Sequence, residues 1–165
     1  MKALSVILRG AAAGMAGAGV MTAVEKAEQR LTGRPDSFVP GRTLAHVLGL
    51  PKPDRDDRVR NLAMHFGTGA LVGVVRAGMA RANLRGPLAS LMHSSLRLSV
   101  DQTLENATGV GAPPWTWPRD ELVIDLLHKE VYAQVTGAIA DALVAPAPGS
   151  SVRRPLQSRR LRGVA

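Results

Sequence analysis

Two stretches of this chain, residues 10–24 and 61–75, run for fifteen residues each without a Lys, Arg, Asp or Glu, and the first is dominated by glycine and alanine. Each carries a G-x-x-x-G spacing, Gly10 to Gly14 in one and Gly69 to Gly73 in the other. Glycine costs roughly 1 kcal/mol against alanine in a water-exposed helix interior, whereas in lipid small residues let two helix backbones approach closely. The runs therefore favour closely packed helices in a bilayer. Length restrains that inference, because a hydrocarbon core of about 30 Å takes about 20 apolar residues and fifteen reach only about 22 Å. Arg9 and Arg76 lie near segment ends, where they can lay their methylenes in the apolar layer and set their guanidinium groups at the interface. With that reach, residues 4–24 and 62–80 qualify as spans.

The composition agrees with one domain of unusual interior. The 165 residues are 45% hydrophobic but only 3% aromatic, too few aromatic rings to fill a conventional core. Lys and Arg number 21 against 13 Asp and Glu, a formal charge of +8, while mean hydropathy is close to zero. The absence of cysteine excludes a disulfide scaffold, a thiol nucleophile and thiolate metal sites. The basic excess is split between residues 1–100, with 14 basic and 6 acidic side chains, and a terminal segment holding Arg153, Arg154, Arg159, Arg160 and Arg162. That division argues against a nucleic-acid groove binder. Residues 146–165 read as a disordered basic tail, either a solvated appendage or a segment held near anionic lipid headgroups.

Residues 86–100 and 122–144 are also helical in pattern but more charged, with Arg97 in one and Asp125, Lys129, Glu130 and Asp141 in the other. The expected architecture is all-α: a bundle of about four helices over residues 4–31, 61–84, 86–105 and 119–145, forming a membrane domain over 1–145. A soluble or peripheral helical bundle is the competing expectation, meeting anionic lipid or acidic partners through its arginines. A cleaved signal peptide at Ala16-Gly-Ala18 is disfavoured by Arg9 in its apolar stretch. Between the first two long helices, Pro and Gly punctuate residues 32–60, with one or two helical turns expected near residues 43–50 and His46 at the surface. Trp115 and Trp117 precede the last helix, where interfacial anchors belong.

The segment Gly109-Val-Gly-Ala-Pro-Pro-Trp-Thr-Trp-Pro118, followed by Glu121 and Leu-Leu-His128-Lys-Glu-Val-Tyr132, resembles the fourth-span region of the YagU-like family. The glycine-rich first helix and the segment from His65 to Gly73 are similar to its other spans. The resemblance implies a small bacterial inner-membrane protein of undetermined molecular function and implies no reaction. This chain departs from the family in having fewer aromatic and large aliphatic residues and more charge in its third and fourth segments.

At helical spacing, Ser90, His93, Arg97, Asp101 and Glu105 share one face of the third helix, and Glu121, Asp125, His128 and Tyr132 share one face of the fourth. If the stripes meet, His65, His93, Arg97, Asp101, Asp125 and His128 form a polar interhelical site for protons or a small solute, since intramembrane charges must pair or line water. The plain alternative is a water-exposed amphipathic pair. No cofactor is called for. Asp125-x-x-His128 is half of one di-metal motif with no second copy, so no metal site is expected, and no serine elbow or phosphate loop occurs. Glycine-rich faces would permit self-association. With both termini cytoplasmic, ten basic residues lie inside against nine outside, and the tail with the short Arg76 to Arg85 connection tips the orientation toward termini inside.

Overall fold

The computed structural model describes residues 1–150. Within them the chain forms α1 (Ala3–Thr32), α2 (Val39–Val47), α3 (Arg58–Arg81), α4 (Gly86–Ala107) and α5 (Arg119–Leu143), with one 3-10 turn at Pro114–Thr116 and no strand. The all-helical bundle stands; the short helix is longer than one or two turns. The four long helices alternate in direction, so the start of α1, the end of α5 and the α3–α4 turn lie at one end of the bundle, and α2 and the two longer connections at the other.

Local chemistry sets the boundaries. The Asp57 side chain accepts from the Val59 and Arg60 amides, so α3 begins three residues earlier than its charge-free run. It stops at Arg81, short of the expected residue 84, because Asn83 adopts a left-handed conformation (φ 64°) and Leu84 N donates to Met79 O at 2.8 Å. Pro87 and Pro118 sit where a missing N–H costs nothing, at the starts of α4 and α5.

Glycine decides how closely α1 meets α3. A Cβ placed on Gly73 would lie 2.5 Å from Gly10 O and 2.6 Å from Gly14 Cα, and one on Gly10 would lie 2.7 Å from the Ala77 Cβ. The two G-x-x-x-G runs thus interlock with each other inside the chain. Small residues continue inward: Ala13, Ala18, Ala45, Ala77, Ala80, Ala133 and Ala140 are buried. Tyr132 supplies the missing bulk, packed with Ala18, Met21, Val72 and Ala133.

Side chains are distributed unlike those of an ordinary core. Arg76, Arg97 and Lys129 are 0%, 2% and 7% exposed, while Leu71 and Leu88 are 71% and 72% exposed. Arg76 therefore does not reach out to an interface; it turns inward to Asp141, 2.8 Å away. Arg9 does extend, and donates to the Leu143 carbonyl. Arg81 and Arg85 donate to the Ala145, Asp141 and Val144 carbonyls, so three arginines satisfy the backbone acceptors at the end of α5. Helices α1 and α3 are long and apolar enough to cross a membrane. The expected cationic tail residues Arg153, Arg154, Arg159, Arg160 and Arg162 lie outside the described residues.

Candidate functional site

The polar stripes of α4 and α5 do meet, and they enclose a cavity of about 370 Å³ at the connection end of the bundle. Its floor is a chain of paired charges. Arg97 Nε donates to Asp101 Oδ2 at 2.8 Å, Nη2 donates to Thr68 Oγ1 at 3.1 Å, and the guanidinium carbon lies 4.7 Å above the Tyr132 ring. Lys129 bonds Asp125 one turn back along α5 and approaches Asp101 of α4 at 3.9 Å. Tyr132 in turn donates to Gly69 O at 2.7 Å, tying the floor to the glycine seam. Each of these buried charges has a partner, as burial demands.

The walls and mouth come from elements far apart in sequence. His65 and Met64 face inward from α3, Met21 and Glu25 from α1, Glu105 from the last turn of α4, and Glu121, Asp125 and His128 from the start of α5. The connections close the rim with Arg34, Val39, Pro40, Val110, Ala112 and Trp117. Arg34 is anchored there by Glu28 at 2.9 Å and Glu121 at 3.3 Å. Glu28 titrates below the usual carboxylate range, mainly because the Arg34 guanidinium hydrogen-bonds it, with help from Thr32.

Of the six residues singled out from sequence, His65, Arg97, Asp101, Asp125 and His128 line this cavity. His93 does not. It is wholly buried behind the floor, its Nε2 3.1 Å from Val72 O and its ring stacked on Tyr132 at 5.4 Å, so it packs the core. Trp117 is also not a free anchor: its indole donates to Ala112 O at 2.7 Å and its ring walls the cavity, whereas Trp115 projects 83% exposed. His46 is exposed as expected and sits 2.9 Å from Asp54.

Sequence spacing missed several members. Lys129 was within reach of it, at i+4 from Asp125, and Glu105 was placed on the Arg97 face but not carried into the candidate site. Arg34, Glu25 and Thr68 were not within reach, since Arg34 arrives through a Pro/Gly connection and the other two sit on helices whose sequence signal was small-residue packing rather than a polar stripe.

Several buried polar atoms on the lining have no protein partner: Asp125 Oδ2, His65 Nε2 and Arg97 Nη1. Each of these atoms is sealed from solvent, so its unmet hydrogen-bonding capacity is a cost of burial within the wall and is not presented to the cavity. Among the described residues no three His, Asp or Glu side chains converge as a metal site would require. No protein-family model, curated protein or solved structure matches the chain.

Proposed function

We propose that this protein is a small multi-pass integral membrane protein of the bacterial inner membrane whose four long helices enclose a one-ended polar chamber for protons or a small polar solute. The observation that carries the reading is the inverted distribution of polarity. The charged side chains of α4 and α5 that argued against spanning are largely turned inward and paired, while Leu88, Leu91, Met92, Val123, Leu126 and Leu127 face out. Hydroxyls follow the same logic: Ser95 and Ser99 return their protons to the Leu91 and Ser95 carbonyls, which suits a surface without water. Glu130, half-buried on α5, takes a hydrogen bond from Gln134. The similarity to YagU-like proteins, resting on the quoted residues, supports the same compartment.

In this reading both termini are cytoplasmic. Arg9, Arg81 and Arg85 lie at the terminal end without a carboxylate partner among the described residues, while most basic side chains of residues 26–60 are paired with acids. The chamber then opens away from the cytoplasm. Alkaline carbonate extraction of native membranes tests insertion: retention in the pellet is expected, and release overturns the reading in favour of a peripheral helical adaptor. Such an adaptor, held by screened surface charge, would also leave the membrane in about 0.5 M NaCl. If the chamber moves protons, His128→Ala changes pH-gradient decay in reconstituted vesicles; an unchanged decay removes the proton role.

A further inference from the structure

The terminal end of the bundle carries positive charge that the chain itself does not neutralise. Three guanidinium groups from separate elements gather there around the end of α5. Arg9 of α1 donates to Leu143 O, Arg81 of α3 donates to Ala145 O at 3.2 Å, and Arg85 of the α3–α4 turn donates to the Asp141 and Val144 carbonyls. Residues 1–24, 58–100 and 142–165 contain no Asp or Glu, so among the described residues Asp141 is the one carboxylate at this end. Its Oδ2 is already taken by Arg76 at 2.8 Å and by the Gly86 amide at 2.9 Å. The dipole of α5 offsets only about half an elementary charge. Each guanidinium has N–H donors to spare beyond the carbonyls it meets, so both charge and donors remain for an outside anion. At the opposite end the pattern is reversed, since Lys26, Arg34, Arg42, Arg58 and Arg60 each meet a carboxylate.

The surroundings of these cations narrow the partner. Leu4 and Leu8 precede Arg9 on α1, Leu84 and Leu88 flank Arg85, and Leu143 ends α5; all five are exposed. A cap of guanidinium groups over an apolar collar matches the level of a bilayer where phosphates stand above acyl chains. A free phosphate or a nucleic acid would meet the charge and gain nothing from the collar. We propose that this end docks on anionic phospholipid, with Arg9, Arg81 and Arg85 receiving the headgroup phosphates. Anionic lipid is preferred to zwitterionic lipid because no unengaged carboxylate stands among the described residues here to receive a choline or an ethanolamine.

This inference rests on the insertion and orientation proposed above, which set this end at the cytoplasmic leaflet. It is tested on the purified full chain in neutral detergent by native mass spectrometry, with phosphatidylglycerol and phosphatidylcholine of matched acyl chains offered in equal amounts. Bound phosphatidylglycerol should exceed phosphatidylcholine at least about fivefold, and raising the salt from about 0.1 to about 0.5 M should shrink the excess. Arg9→Gln, Arg81→Gln and Arg85→Gln together should abolish the preference, whereas lysine at the same three positions, which keeps the charge, should retain it. Arg9→Gln alone, at the exposed member, should cut it about threefold, and Arg42→Gln at the opposite end should leave it unchanged. Equal binding of the two lipids, a preference that survives in the folded triple glutamine variant, or one lost on glutamine replacement of the five arginines beyond Ser150 alone overturns the proposal. Displacement of the lipid by excess inorganic phosphate also overturns it, in favour of a free anion. Carbonate extraction reads insertion and this competition reads the headgroup surface, so each can fail alone.

Discussion

Replacing Gly73 by alanine probes the seam that fixes the whole bundle. The new methyl carbon would sit 2.5 Å from Gly10 O and 2.6 Å from Gly14 Cα, against 3.4 Å or more for ordinary contact, so α1 and α3 must part by nearly 1 Å. Both obstacles are helix backbone and cannot rotate away. Overpacking of this kind costs typically about 1 to 3 kcal/mol, and the rigid neighbours put Gly73→Ala toward the upper part of that range. Alanine returns up to about 1 kcal/mol of helix propensity, leaving a net loss of about 1 to 2 kcal/mol. Gly67 lies on the same helix with nothing within 4 Å of its would-be Cβ. There the same change meets no obstacle and should be neutral or stabilising by up to about 1 kcal/mol. Denaturant unfolding in mixed micelles, followed by far-UV circular dichroism, measures the pair. Equal midpoints for Gly73→Ala and Gly67→Ala would refute the interlocked seam.

Asp141→Asn strips the wholly buried Arg76 of its counter-charge; because the Asp141 side chain is 20% exposed, the loss should be about 2 to 3 kcal/mol rather than the full cost of an enclosed orphan charge. Adding Arg76→Met should recover part of it in a double-mutant unfolding cycle, and strict additivity would count against the pair. Tyr132→Phe leaves Gly69 O without its 2.7 Å donor and should cost about 1 to 2 kcal/mol by the same unfolding assay. For Glu28, the folded state lowers the carboxyl pKa through Arg34, so the stabilisation is present above the unfolded carboxylate range and lost as pH falls through the folded value. Carboxyl NMR titration should show Glu28 moving back toward 4.5 in Arg34→Ala, and an unmoved midpoint would reject that cause.

Periodicity made the helices and the inward stripes legible. Arg97 to Asp101 and Asp125 to Lys129 are one turn apart, so each pair was bound to share a face whatever surrounded it. Periodicity could not say which way the faces turn, and it left a chamber lining and a wet surface equally open. The same holds for Arg76, whose nearness to a segment end suggested an outward reach although Asp141, distant in the chain, drew it inward.

What the residues alone determined is therefore local: four long helices, the G-x-x-x-G spacings and the absence of thiol chemistry. Only the tertiary structure decided that the two glycine runs interlock with each other, that Trp117 is a wall, that His93 is core packing, and that Arg34 and Glu25 complete the chamber. The physical reason is that hydrogen bonds within a helix depend on neighbours a turn away, whereas burial and charge compensation depend on which faces meet across the bundle.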